Sequence, residues 1–315
     1  MWRSRDLLAE LHRSPTPARQ PSPEIHVSTT GDRPGSYLAQ HKNGRLHHRA
    51  QTQLVVDSDY PVEEFYGRER GAFHDELDTA QFEIRPLDVG ALDAVAHLWA
   101  LESATTGHLR RLFAGWTSRE ARIDAFLTTW AYEKHWIARA LETILAAHHR
   151  ELPQTGASER WGPTVDSVLT NLVGEDVVAG QMAQALSREA TTAALLRRLA
   201  VVADHPVVDH LCDRSLERTA DYIRFFEQEA KVRIEDSPRG AALARRSLGR
   251  GFSPIRPPGV DRATVQVSLD VLAPGVRHRR ALCREADGPV HDLPNLNGPE
   301  PLERALRTDG MLVRS

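Results

Sequence analysis

Three glutamates in this 315-residue chain stand where a helical core would bury them. With each segment set on a wheel at about 100° per residue, the apolar residues between 87 and 115 line up as Leu92, Val95, Leu98, Trp99, Leu109 and Phe113. Glu102 falls inside that stripe, seven residues after Val95 and seven before Leu109. In the next segment the stripe is Phe126, Trp130, Ile137, Leu141 and Ile144, and Glu133 lies on it. In the third, Val178, Met182, Ala185, Leu186, Leu196 and Ala200 flank Glu189. A buried carboxylate without a partner costs several kcal/mol, so each must be neutralised, paired or bound to a metal. Three that converge also repel one another, and a divalent cation would relieve this; iron and manganese suit carboxylate oxygens. The competing arrangement uses arginines as partners, with Arg122, Arg188 and Arg197 within reach along the chain, and a shared proton for the remainder.

These side chains need long helices to hold them. The periodicity predicts helices over about 87–115, 119–149, 175–203 and 206–235, with a short helix over 164–173. Ser118 is the expected N-cap of the second, and Pro206 opens the last after the turn Asp204-His205. The last helix has its own stripe of Val208, Cys212, Ser215, Thr219, Tyr222 and Phe226. Glu217 lies opposite it, with His210, Asp213, Asp221 and Arg224 on what reads as a solvated face. Residues 58–86 form a lead-in whose aromatics Phe65, Tyr66, Phe73 and Phe82 are expected to pack on the bundle. Residues 1–57 are rich in Pro, Ser, Arg, His and Gly and read as a loosely attached arm. Residues 240–315 are broken repeatedly by proline and glycine and read as an extended tail, with one short strand over Thr264–Val271. The domain plan is therefore 1–57, 58–239 and 240–315.

At this point the chain resembles the soluble acyl-carrier-protein desaturases of the ferritin-like superfamily. Trp130-Ala131-Tyr132-Glu133-Lys134-His135-Trp136 is similar to the family's second-helix motif. Ser187-Arg188-Glu189-Ala190-Thr191 is similar to its third-helix glutamate segment, and Leu211-Cys212 with Ser215-Leu216-Glu217-Arg218 to the approach to its last motif. The likeness covers Leu87 to Asp236. It implies an all-α fold, a ferritin-like bundle of long antiparallel helices with poorly structured N- and C-terminal arms. It also implies a di-metal site of iron or manganese on Glu102, Glu133 and Glu189, with Glu217 as a weaker fourth ligand, and an oxidoreductase acting on an acyl substrate. The family builds its site from a Glu on each of two helices and Glu-x-x-His on the other two. Here the residue three after Glu133 is Trp136, and His135 points about 200° away from the stripe. On the last helix the stripe puts Thr219 and Tyr222 where Glu and His belong. Trp136, Thr219 and Tyr222 are thus expected around the site rather than as ligands.

The missing histidines support a second expectation: a non-catalytic ferritin-like subunit or scaffold that has lost its metal and binds a second copy or another protein. A net charge of −3 offers no electrostatic footprint for nucleic acid. No stretch reaches the length of a membrane span, and no apolar run marks residues 1–20 as a signal peptide. A cytoplasmic location is the default expectation. Cys212 and Cys283 have no C-x-x-C spacing. Only three lysines occur, Lys42, Lys134 and Lys231.

Overall fold

The computed structural model describes residues 58–68, 70–113, 120–153, 176–249 and 251–312. The expected arm 1–57, the Ser118 cap and the 164–173 helix lie outside them. Among the described residues every regular element is helical. The lead-in carries α1 (Val62–Tyr66) and α2 (Gln81–Ile84). The long elements follow as α3 (Val89–Ser103), α4 (Thr105–Phe113), α5 (Ala121–Ala147), α6 (Val177–Ala203) and α7 (Pro206–Asp236). The first expected helix is thus two, separated at Ala104.

Local chemistry sets several of the boundaries. Asp88 caps α3 by accepting the Ala91 N–H at 2.8 Å. Asp204 ends α6 in the left-handed region at φ +43°. His205 then accepts the Val207 N–H at 3.2 Å, and Pro206 supplies the fixed φ that starts α7. This two-residue link makes α6 and α7 an antiparallel hairpin, and Ser237 at the far end meets Asp176 at 2.5 Å.

Cross-links give the direction of the other helices. Lys134 reaches Glu102, while Arg150 pairs with Asp93 and His148 accepts the Leu87 N–H, so α3 and α5 run antiparallel. Glu133 meets Tyr222, while Arg122 meets Glu229, so α5 and α7 are antiparallel too. With α3 also packed on α6, the four close a ring in which every neighbour is antiparallel. The diagonal helices α5 and α6 point the same way. The end of α5 and the start of α6 therefore lie at opposite ends of the bundle. Phe65, Phe73 and Phe82 are buried as expected, with Phe65 stacked on Phe126.

The C-terminal region corrects the expected extended tail. It forms α8 (Pro238–Ser247), α9 (Arg262–Leu272), α10 (Gly275–His291) and α11 (Pro301–Thr308). The expected strand Thr264–Val271 is the body of α9. Its Val265, Ser268, Leu269 and Leu272 repeat at helical spacing and are buried, and Asp261 caps it through the Thr264 N–H at 2.7 Å. These helices pack on α6 and α3. A Cβ on Gly90 would come 2.9 Å from Val271 Cγ2, and one on Gly180 would come 3.0 Å from Ser247 Oγ, so both glycines permit close helix contact. Asp287 accepts the N–H groups of Leu302 and Glu303, closing the first turn of α11 from a neighbouring helix.

His97 ties this region to the bundle. It is fully enclosed on α3, its Nε2–H donates to the Ile255 carbonyl at 2.8 Å, and its Nδ1 accepts from Ser268 at 2.9 Å. Burial lowers its pKa to about 4 from an ordinary 6.5, against the opposing bond to Ile255. The unfolded chain therefore binds a proton that the folded one refuses between these values, and stability falls as pH drops from 6.5 towards 4. Relative to His97→Gln, wild type is expected to lose about 2–3 kcal/mol of unfolding free energy between pH 7 and pH 4.5. Urea titrations at the two pH values measure this, and equal slopes for the two proteins would refute it.

Candidate functional site

The helices bury all three glutamates: Glu102, Glu133 and Glu189 are 2 %, 1 % and 3 % exposed. They do not form one cluster. Glu102 on α3 and Glu189 on α6 face each other across Lys134 of α5, which is itself enclosed. Lys134 Nζ lies 2.8 and 2.6 Å from the two Glu102 oxygens and 3.0 Å from Glu189 Oε2. Trp130 Nε1–H donates to the other Glu189 oxygen at 3.2 Å. Lys134 shares a face with Trp130, four residues before it, and Ile137, three after it.

Glu133, next in the chain to Lys134, projects to a different seam. It accepts from Arg70 Nε at 2.8 Å and from the Tyr222 hydroxyl at 2.7 Å. Arg70 comes from the lead-in, which lies across α5 and α7. It also holds Asp221, together with Arg68. Asp221 is therefore buried, a correction to the solvated face expected for it: the lead-in covers that side of α7.

The electrostatics follow from this enclosure. Burial pushes the Glu102 carboxyl up to about 7, with Lys134 pulling it down and Glu189 adding to the rise. Burial also opposes the charge on Lys134, yet Glu102 and Glu189 outweigh it and raise the ammonium above its ordinary value. Lys134 thus stays charged, and burial brings the Glu102 carboxyl towards neutrality. Burial raises Glu133 against the opposing pull of Tyr222 and Arg70. Burial and the neighbouring Glu133 raise Tyr222 well above the phenol range, which keeps its proton in place as a donor.

The remaining expected site residues are not gathered here. Glu217 faces out, 64 % exposed at its side chain, and pairs with Arg214. Thr219 is buried, but its hydroxyl donates to the Ser215 carbonyl of its own helix. Trp136 is half-buried and stacks on His74. His135 is exposed. The arginines proposed as partners lie elsewhere: Arg122 binds Glu229, Arg197 binds Glu285, and Arg188 lies against His108 and Phe252. The cations that do reach the glutamates, Lys134 and Arg70, were not expected. A signal for Lys134 existed, since it falls on the apolar stripe of its helix. Arg70 lies in a segment without periodicity and gave none.

A di-metal centre does not fit these residues. An ammonium already lies within hydrogen-bond distance of both Glu102 and Glu189, and the third carboxylate is turned to a guanidinium and a phenol. Among the described residues no three His, Cys, Asp or Glu side chains converge. A cavity of about 50 Å³ does reach Lys134 and Glu189, bounded by His108, Trp130 and Thr105 and by Ser253, Pro254 and Pro257. The chain matches no family model, and no curated protein or solved structure is similar enough to it to carry an argument.

Proposed function

We propose that this chain is a non-catalytic ferritin-like subunit or scaffold, in which Lys134 stands as the cation between two inward carboxylates. The observation that carries this reading is the Lys134 ammonium at 2.6 to 3.0 Å from Glu102 and Glu189. The antiparallel ring, with the consecutive helices α5 and α6 pointing the same way, supports the ferritin-like assignment, because bundles of that class carry one long crossover. A buried carboxylate pair needs one cation, and a lysine supplies it permanently, without the open coordination positions that oxygen chemistry requires.

A role in assembly draws support from the end of the bundle where α3 begins and α5 and α6 finish. Ile84, Val89, Leu152 and Val201 are exposed there, Ile84 at 88 % and Val201 at 80 %. Apolar side chains grouped at one end suit a second copy or another protein. No helix among the described residues is long and apolar enough to cross a membrane.

The test is elemental analysis of the full chain purified without chelator or affinity-tag metal, on wild type and Glu189→Ala, with the oligomeric state measured by light scattering. The expected result is iron and manganese far below one equivalent in both, and a mass above the monomer. Stoichiometric metal that disappears in Glu189→Ala, on a monomer, would overturn it.

The burial of Glu102, Glu133 and Glu189 on three helices of one bundle favours one other reading, an oxidoreductase resembling the desaturases that takes an acyl-type substrate. Oxygen consumption with acyl substrates by iron- or manganese-loaded protein, lost in Glu102→Ala, is what that reading requires.

A further inference from the structure

Among the described residues, the polar layer around Glu133 carries more positive charge than its carboxylates balance. Arg68, Arg70 and Arg218 contribute three charges against the two of Glu133 and Asp221. Arg224, reaching Asp221 from the exposed side at 3.8 Å, adds to the excess.

Arg218 is the unusual member. It is 2 % exposed, and its guanidinium forms no ion pair among the described residues. Nη2 donates to the Gly71 carbonyl at 2.7 Å, and the guanidinium carbon lies 4.7 Å from the centre of the Phe73 ring. Nη1 is enclosed and has no acceptor. Arg70 is in a related position: Nε and Nη1 hold Glu133 and Asp221, while Nη2 is enclosed without an acceptor. Burial lowers the pKa of Arg218, with Arg70 adding to the fall and Tyr222 and Glu133 opposing it. A guanidinium nevertheless remains protonated at neutral pH, so the charge has to be met. A buried guanidinium whose N–H groups lack acceptors is strongly disfavoured. Two guanidiniums with unused donors in one layer are the chemistry that binds anions.

We propose that Arg218 and Arg70 bind a small monovalent anion of the chloride class beneath residues 70–73. The lead-in limits its size, because Gly71 and Phe73 lie directly on the Arg218 guanidinium. The weak hydration of a guanidinium matches a halide that sheds its water readily. The bound anion would balance the layer and fasten the lead-in to α7.

The test follows thermal unfolding of the full chain by circular dichroism, with sodium chloride replacing sodium gluconate at constant ionic strength so that screening does not change. Wild type is expected to show a saturable rise in Tm of about 2–5 °C with chloride, and Arg218→Met none. An unchanged Tm in wild type, or the same rise in Arg218→Met, would overturn the assignment. Should the variant fail to fold, bromide-soaked crystals of wild type decide the matter by anomalous scattering. A peak within hydrogen-bond distance of Arg218 Nη1 is expected, and bromide found only elsewhere refutes the site.

Discussion

Lys134→Met is expected to lower the unfolding free energy by about 3–5 kcal/mol, the usual cost of removing one partner from a buried ionic cluster. The substitution leaves Glu102 and Glu189 facing each other, with Trp130 Nε1–H as the remaining donor within bonding distance of either carboxylate among the described residues. Methionine fills nearly the same space, so the loss is electrostatic rather than a cavity effect. The pH dependence separates these causes. Glu102 already has a folded pKa near 7, above its ordinary 4.5, because of burial. A carboxyl raised in the folded state makes stability fall as pH rises from the lower value through the higher one, since the unfolded chain releases the proton first. Removing Lys134 removes the charge that opposes this rise. The variant is therefore expected to be least impaired near pH 5 and most impaired near pH 8. Urea unfolding at both values tests it. Adding Glu102→Gln and Glu189→Gln should restore most of the stability, because replacing a whole buried cluster by neutral groups is often neutral or stabilising. A loss below about 1 kcal/mol with no pH slope would mean that the three residues are not coupled as described.

The second large effect is expected at Glu229, which is fully buried near the start of α5. It accepts from the Ser58 hydroxyl at 2.5 Å and binds both Arg122 and Arg233. Arg122 in turn donates to the Ser58 and Tyr60 carbonyls, so one carboxylate fastens the start of the lead-in to α5 and α7. Glu229→Ala is expected to cost about 3–5 kcal/mol, since Arg233 and Arg122 lose this carboxylate and Ser58 loses its acceptor. Glu229→Gln, which keeps an acceptor oxygen but not the charge, should cost less. The local consequence is more specific than the global one. Amides of residues 60–68 should exchange with solvent through a partial opening well before the whole protein unfolds. Hydrogen exchange of Glu229→Ala measures this; protection of 60–68 equal to that of α5 would show that the lead-in is held by its aromatics and not by this carboxylate.

Much of the helical framework was legible in the sequence. The stripes placed α5, α6 and α7 to within two residues, and they identified which polar residues would be enclosed: Glu102, Glu133, Glu189, Ser215, Thr219 and Tyr222 are all buried. Burial follows from helical periodicity because the apolar face fixes how each helix turns towards its neighbours. The same reasoning favoured the stripe over the local motif at Glu217, which does face out. The C-terminal helices were obscured by their prolines and by Thr264–Val271, whose alternating pattern coexists with a helical one. Only the Asp261 cap and packing against α3 select between the two.

Which charge meets which was a matter for the tertiary structure. A helical wheel gives each residue a direction but not the helix it faces. Glu133 and Lys134 are adjacent in sequence, yet one turns to Arg70 and Tyr222 and the other to Glu102 and Glu189. Arg70, Ser58 and the cover over Asp221 come from a lead-in with no periodicity, and its path is set by aromatic packing on α5 and α7. Periodicity reports that a carboxylate is buried. The identity of its counter-charge depends on contacts between residues tens of positions apart, such as 32 for Lys134 and Glu102 and 171 for Ser58 and Glu229, and these exist only once the helices have packed.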